Sequence, residues 1–359
     1  MNSVLSSHPL DGRKVLIFYN YKDNPKETNK HLYVEDALIM QCELNNHSIQ
    51  TEIVPIYKDI ETPLKNYNPN DVIVFNWCEE FGDNPKGHYI VTEYFEKYGF
   101  IYTGNTPDVL ELSNDKSLIK KILVKKGVFT PEYKICKSSR GLESWNMFPA
   151  IVKPSGEHSS QGITKDSVVE NIEQLKCAVD LVVEKYECAA LVERFIDGCE
   201  LFMSVIGNEN EVEVLPFWLA DYKNFDDLGL QTYSYNSKTV PGSEEYEKLI
   251  IREPYEGEYS REVLSRINEE VTKAFRVLNS RGFVRFDVRI NGGIPYILDF
   301  NPNPDITSEC EITWCAQRAG YSYADLIIKI CRLALDDYAN VLVGKNHSAH
   351  SFMSNRPTT

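Results

Sequence analysis

Two apolar-rich runs near the C-terminus, Phe283–Ile290 and Ile294–Phe300, are separated only by Asn291-Gly292-Gly293, and no other stretch constrains the fold as much. An Asn-Gly pair between strand-like runs reads as a tight hairpin, because both residues accept the positive φ that such turns need. The two strands therefore run side by side. Side chains alternate between faces along a strand, so Arg285, Asp287 and Arg289 share one face, as do Asp299 and Asn301. Where those faces coincide, two carboxylates and an amide oxygen converge beside a guanidinium. Ligands of that oxygen-only kind suit Mg²⁺ or Mn²⁺, with substrate phosphate oxygens and water completing the shell. Taken by itself, the alternation also describes the solvated face of an antiparallel sheet. The rest of the chain bears on the choice.

Upstream, strand and helix patterns alternate. Lys14–Tyr19, Thr51–Ile56 and Asp71–Phe75 read as strands, with a helix at His31–Leu44 and another at Val91–Tyr98. Such alternation implies a parallel α/β sheet. Phe100–Tyr102 is strand-like, and the turn cluster Thr103–Pro107 suits a domain boundary. The pattern then restarts with a helix at Lys116–Lys126, strands around Glu132–Cys136, Ala150–Val152 and Ala189–Glu193, and a helix near Asn171–Tyr186. A third section holds strands at Leu201–Ile206 and Val212–Leu215, an irregular segment from Asp221 to Glu253, a helix at Ser260–Asn279, the hairpin, and a last helix near Ser322–Asp337. The expected division is an N-terminal α/β domain over 1–106, a central subdomain over 107–193, a C-terminal subdomain over 194–345, and a disordered tail over 346–359. The fold class is α/β, with α+β parts.

Composition excludes several classes. The 25% charged and 42% apolar content is that of a globular protein, and no run approaches the ~18 apolar residues of a membrane span. Met1–Leu10 lacks a basic stretch followed by an apolar one, which points to the cytoplasm. The nine cysteines are scattered without metal-binding spacing, as free thiols in a reducing compartment are. A formal charge of −15 argues against nucleic acid, whose phosphates need Lys and Arg. Any polyphosphate site must therefore carry its own lysines.

One candidate follows the strand at Ala150–Val152, where Lys153-Pro154 opens the small-residue loop Ser155-Gly156-Glu157-His158-Ser159-Ser160-Gln161-Gly162. Backbone N–H groups of such a loop can approach phosphate oxygens while the lysine supplies countercharge, although the same composition also makes ordinary connectors. It is not a Walker A motif. Further on, Leu191–Glu200 is a strand running into a turn, leaving Glu193 and Glu200 to reach a ligand edge.

In this order, these motifs resemble the ATP-grasp superfamily and, within it, the D-alanine–D-alanine ligase family, over roughly residues 100–335. The resemblance rests on Lys153-Pro154 with Ser159-Ser160 and Gly162, on Glu193 to Glu200, on Arg285-x-Asp287, on Asp299-x-Asn301, and on the stretches Pro304–Ser308 and Ala319–Ser322. It implies an ATP-grasp fold of three subdomains, with nucleotide held between the central and C-terminal ones. The implied enzyme is an ATP-dependent carboxylate–amine ligase, which phosphorylates an acid and lets an amine attack the acyl phosphate. Its implied cofactors are ATP and Mg²⁺ or Mn²⁺. Lys116, Lys153, Ser160, Glu193, Ile196 and Glu200 are the implied nucleotide residues, and Asp287, Asp299 and Asn301 the metal ligands. Arg285, Ser159 and Lys238 take the catalytic roles, under a lid around Tyr233–Gly242.

The chain also departs from that family. No glutamate stands unambiguously in the N-terminal substrate region, where Glu27 and Glu35 are candidates, and Asn76–Phe81 replaces a histidine-glycine segment. Thr239 stands for a lid tyrosine, Asp299 for a glutamate, Asp305 for a glycine and Cys310 for a serine that grips a carboxylate. Nucleotide positions persist while amino-acid positions change. That pattern points to other small substrates, an acid and an amine, as in secondary metabolism where such ligases build mycosporine-like amino acids. Genuine D-alanine–D-alanine ligase and a phosphotransferase on the same fold are the alternatives. A homodimer is compatible with the resemblance; nucleic acid and membrane are not expected partners.

Overall fold

The computed structural model describes residues 10–21, 32–156 and 162–345. The loop residues Ser159 and Ser160, the candidate Glu27 and the expected tail lie outside these. Three β-sheets organise the described residues. In the first, β1 (Lys14–Asn20) lies between β2 (Thr51–Ile56) and β3 (Val72–Trp77), all parallel, so that Ile17 faces Ile53 on one side and Phe75 on the other. Parallel strands need crossover connections. Helix α1 (Leu32–Asn46) links β1 to β2, and the short α2 (Glu61–Leu64) lies before β3. Helix α3 (His88–Lys97) follows, burying Val91 and Phe95. Phe100–Tyr102 forms only a single bridge, Tyr102 to Val74, rather than a strand.

Two further helices, α4 (Pro107–Ser113) and α5 (Lys116–Lys125), lead into the second sheet. It holds β4 (Tyr133–Cys136), β5 (Ala150–Pro154), the two-residue β6 (Val168–Val169) and β7 (Ala190–Arg194) in the order β4-β7-β5-β6, with α6 (Ile172–Tyr186) packed on it. The third sheet contains β8 (Glu200–Gly207), β9 (Val212–Val214), β10 (Trp218–Asp221), β11 (Ile250–Arg252), β12 (Gly282–Asn291) and β13 (Ile294–Pro302). Along its main path the order is β11-β10-β8-β12-β13. The stretch expected to be irregular thus holds β11 and part of β10, together with the short helices α7 (Tyr235–Thr239) and α8 (Glu244–Lys248). Their apolar runs are too short to announce themselves in sequence.

Long helix α9 (Arg261–Val277) covers the third sheet, and α4 and α5 join it there. Val109, Ile119 and Leu123 are buried in one cluster with Val271, Phe275 and Phe286. After α10 (Glu311–Arg318) the chain returns to the first sheet through α11 (Tyr323–Lys345), whose Leu326, Ile327 and Ile330 pack with Ile17, Met40 and Phe75. The hairpin forms as expected, with one correction. Asn291 still pairs with Ile294, so the turn is made by Gly292 (φ 58°) and Gly293 (φ 75°) rather than by Asn-Gly. Two consecutive positive φ values favour the residue pair that has no Cβ.

Candidate active site

The hairpin pairing aligns the polar face. Arg285 stands opposite Asn301 and Asp287 opposite Asp299. Immediately beyond, the register slips and Val288 faces Ile297, leaving Leu298 as the extra residue of a bulge. The Leu298 and Ile297 carbonyls accept bonds from Lys120 Nζ at 2.9 and 3.1 Å, and Thr130 Oγ1 lies 2.6 Å from the same ammonium. The bulge therefore also anchors α5 beneath the site.

Each carboxylate here is paired with a cation, and Arg285 serves two of them. Asp299 is held through both oxygens by Lys116 (2.7 and 2.5 Å), and Asp287 Oδ1 accepts from Arg285 Nε at 2.8 Å. Glu193 lies between Lys120 (2.7 Å) and Lys153 (2.9 Å), and Glu200 Oε2 accepts from Arg289 Nη2 (3.1 Å) and Nε (3.2 Å). Glu311, at the start of α10, receives Arg285 Nη1 (2.9 Å) and the Tyr233 hydroxyl (2.8 Å). Burial and pairing compete over the charge states. Burial pushes the Glu193 carboxyl up, but Lys120 and Lys153 more than reverse this, so its pKa is lowered. At Asp299 burial is likewise overcome, chiefly by Lys116, and the pKa falls well below the ordinary carboxylate range. Burial prevails at Glu200, whose pKa is raised despite Arg289. Burial and neighbouring Arg285 lower that of Lys238.

Two cavities meet at this centre. A narrow cleft of about 60 Å³ is lined by Lys153, Glu193, Ile196, Glu200, Asp287 and Asp299, between the second and third sheets. A wider cavity of about 540 Å³ is lined by Lys238, Arg285 and Asn301, by the loop from Pro302 to Asp305, and by Cys78 and Glu79 from the end of the first sheet. Asp287, Asp299 and Tyr233 line both.

The structure thus gathers most of the residues that sequence singled out, with adjustments. The Glu193 side chain is 1% exposed and spent on two lysines, so it positions Lys153 instead of offering a free edge to a ligand. Lys116 sits behind Asp299, in a small gap shared with Lys120, rather than in the wall of the cleft. Asn301 presents Nδ2 to Asp287 Oδ2 (3.3 Å). Glu35 is exposed on α1, away from the lining of either cavity; Glu79 is the acidic residue from this region that reaches the wide one. Thr239 back-bonds to the Tyr235 carbonyl within α7 (2.8 Å). The cap over the centre is instead Tyr233, whose ring packs 4.8 Å from Phe202 and carries Lys238 Nζ at 4.1 Å. Cys310 Sγ points at the Asp305 and Thr307 carbonyls (3.0 and 3.2 Å), a buried group that closes this loop rather than a nucleophile. The side chain of Asp305 is engaged by Thr307, through N (3.1 Å) and Oγ1 (3.0 Å).

Sequence reasoning missed Lys120, Glu311 and the weight of Arg289. Lys120 stands four residues after Lys116 in a helix, hence on the same face, which is a readable signal. Nothing local marks Glu311.

Among the described residues, no group of three His, Cys, Asp or Glu side chains is disposed to hold a metal ion. The donor set around Asp287 and Asp299 is of another kind, carboxylate pairs plus an amide. That is the chemistry Mg²⁺ accepts when phosphate supplies further oxygens.

A family profile described as the D-ala D-ala ligase C-terminus matches residues 122–332, more than half of the chain. The chain belongs to the D-alanine–D-alanine ligase family. As a member it is an ATP-dependent ligase that forms a C–N bond. Its similarity to the D-alanine–D-alanine ligase of Desulforudis audaxviator (strain MP104C) is 33% identity, covering 67% of this chain and 74% of that protein. An uncharacterized protein, y4sG, of Sinorhizobium fredii (strain NBRC 101917 / NGR234) is 31% identical, over 77% of this chain and 80% of that one. The fold is that of the D-alanine–D-alanine ligase of Bacillus anthracis complexed with ATP, with a TM-score of 0.66 at 19% identity over 92% of this chain and 99% of that chain. It is the ATP-grasp fold. Among the described residues no helix is long and apolar enough to cross a membrane.

Proposed function

We propose that this ligase couples a small carboxylic acid to an amine other than D-alanine, using Mg²⁺ and ATP through an acyl phosphate. The observation that carries the reading is the meeting of the two cavities at Asp287 and Asp299. A nucleotide in the cleft directs its terminal phosphate there, and an acid in the wide cavity meets it at the same carboxylates. Lys153 supplies countercharge to phosphate from the cleft wall, Lys116 does so from behind Asp299, and Glu200 accepts from the ribose. Asp287, Asp299 and Asn301 would hold Mg²⁺, which would supply neutralisation of the charge that grows on the transferring phosphoryl group. Arg285, fixed by Asp287 and Glu311, stabilises the oxyanion formed when the amine attacks. Tyr233 and Lys238 cover the centre and keep water from the acyl phosphate. The domain division at 107 and 194 is part of this reading, as is the work of Ser159 and Ser160 on the loop after Lys153.

The acceptor follows from the wall of the wide cavity. Glu79, Asp305 and Glu309 line it, and Cys310 turns its thiol away into the loop. A site that grips a second substrate's carboxylate needs donors. The cations in the same wall, Lys238 and Arg285, stand at the centre, Arg285 already paired with Asp287 and Glu311, so around the Cys310 loop a substrate carboxylate meets acceptors. An acceptor bearing an amine or another cationic group fits better. The test is a panel of acids and amines scored by ATP-dependent phosphate release, with mass spectrometry of the product. Phosphate release that requires both partners and yields an amide supports the ligase. A stable phosphorylated product formed with one substrate alone indicates a phosphotransferase.

A further inference from the structure

Arg289 is the most fully partnered charge in the cleft, and the chemistry above gives it no task. It stands on β12 directly opposite Glu200 on β8, and the residue is only 2% exposed. Its guanidinium donates from Nη1 to the Ile196 carbonyl (2.8 Å), from Nη2 to the Gln231 carbonyl (2.6 Å), and from Nη2 and Nε to Glu200 Oε2. Phe195 and Tyr222 each place a ring centroid 5.0 Å from Cζ, which fixes the plane of the fork. The chain segments it ties together are the turn after β7, strand β8 and the segment before α7. All three border the cleft.

The bonds to Glu200 converge on one oxygen, and this has a geometric consequence. With Oε2 held by two N–H groups in a rigid plane, the carboxylate cannot rotate freely. Glu200 lines the cleft while keeping 11% side-chain exposure. We infer that Arg289 is a positioning residue for nucleotide recognition: it clamps Oε2 of Glu200 so that Oε1 is presented to the sugar hydroxyls, and it fixes the Ile196 backbone at the same wall. The inference rests on the reading of the cleft as an ATP site. A lysine in its place keeps the charge and loses the fork, and a methionine keeps the bulk and loses both. Pre-orientation of this kind acts on selectivity between sugars, since a hydrogen bond aimed at a hydroxyl is lost when that hydroxyl is missing.

The experiment compares ATP with 2′-deoxy-ATP and 3′-deoxy-ATP in calorimetric titrations of the intact protein, as wild type, Arg289→Lys, Arg289→Met and Glu200→Gln. Thermal unfolding of each variant monitors the fold. The wild type is expected to prefer ATP over at least one deoxy analogue by about tenfold, one well-placed hydrogen bond. In Arg289→Met and in Arg289→Lys that preference falls to about threefold or less, as in Glu200→Gln. KM for ATP rises while kcat at saturating ATP changes less. If Arg289→Met does not fold, the lysine variant carries the comparison. A folded variant that keeps the wild-type preference overturns the inference and leaves Arg289 as a purely structural tie. If the wild type binds no ATP, the reading of the cleft fails, and the inference with it.

Discussion

Among single residues, Glu193 and Asp287 separate structural from chemical use of a carboxylate. Glu193 is buried between Lys120 and Lys153, two ammonium groups that have little access to water. Removing one partner of a buried ion pair leaves charge uncompensated, at a cost of about 3–5 kcal/mol. Glu193→Gln is therefore expected to lower stability by about that amount, measured by urea denaturation. The sign with pH follows from its lowered pKa. Stability from Glu193 is fully present above the unfolded value near 4.3, and is lost as pH falls below that through the folded value. The variant's deficit should therefore shrink in acid, and a deficit constant from pH 7 down to pH 3 would mean that the pairing contributes nothing. Asp287 predicts the opposite division. It touches Arg285 and Asn301 at the junction of the cavities, where the proposed transfer develops its charge. Asp287→Asn should reduce turnover by about a hundredfold or more, with ATP affinity changing far less. Wild-type rates in Mg²⁺ would make the hairpin a structural element only. The alternation that puts Asp287 on one face with Arg285 is legible in sequence. That Glu193 would serve two lysines is not, because one of them reaches it only through the packing of α5.

Between elements, the junction of the first sheet with the hairpin deserves a test of its own. Gly104 has φ +85°, and a Cβ added there would meet the Asn303 side chain at 2.4–2.7 Å. Asn303 Oδ1 accepts from the Asn105 backbone at 2.8 Å, and Asn303 lines the wide cavity two residues after Asn301. Gly104→Ala should cost about 1–3 kcal/mol in unfolding free energy, from backbone strain and overpacking together. It should also slow the reaction by displacing the strand end. Adding Asn303→Ala to it removes the clash but not the strain, so the pair should recover part of the loss. Costs that simply add to those of Asn303→Ala alone, which itself loses the bond to Asn105, would place the whole effect of Gly104→Ala in the backbone. The turn cluster at Thr103–Pro107 is legible in sequence, but the partner of its glycine, 199 positions away, cannot be read locally. The same limit explains why α4 and α5 were grouped with the strands that follow them. Their apolar face is plain in the sequence, while the third sheet as its destination is a property of the folded chain.

At the scale of the whole molecule, the proposed function divides nucleotide and substrate recognition between two surfaces. The cleft draws on β5, β7, β8 and the hairpin, whose motifs gave the family from sequence. The wide cavity is closed by parts where the chain departs from the family pattern: the end of β3 with Glu79, the loop holding Asp305, and the start of α10 after Cys310. D-alanine as the second substrate would need its carboxylate paired inside that cavity, where Arg285 is already paired with Asp287 and Glu311, Cys310 points away, and Glu79, Asp305 and Glu309 present acceptors beside Lys238. An unpaired buried charge or donor costs on the order of 1–3 kcal/mol, and more when ionised, which is about tenfold or greater in rate for each lost contact. With several contacts missing, D-alanine-dependent phosphate release should be weak beside that with an amine or cationic acceptor. The comparison is made at equal millimolar concentrations, following phosphate and the product mass. A second arm neutralises the wall: Glu309→Gln, which removes one acidic group from the rim, should lower the rate with a cationic acceptor and leave that with D-alanine nearly unchanged. Efficient formation of D-alanyl-D-alanine by the wild type would return the protein to dipeptide synthesis, whatever the acidic wall suggests.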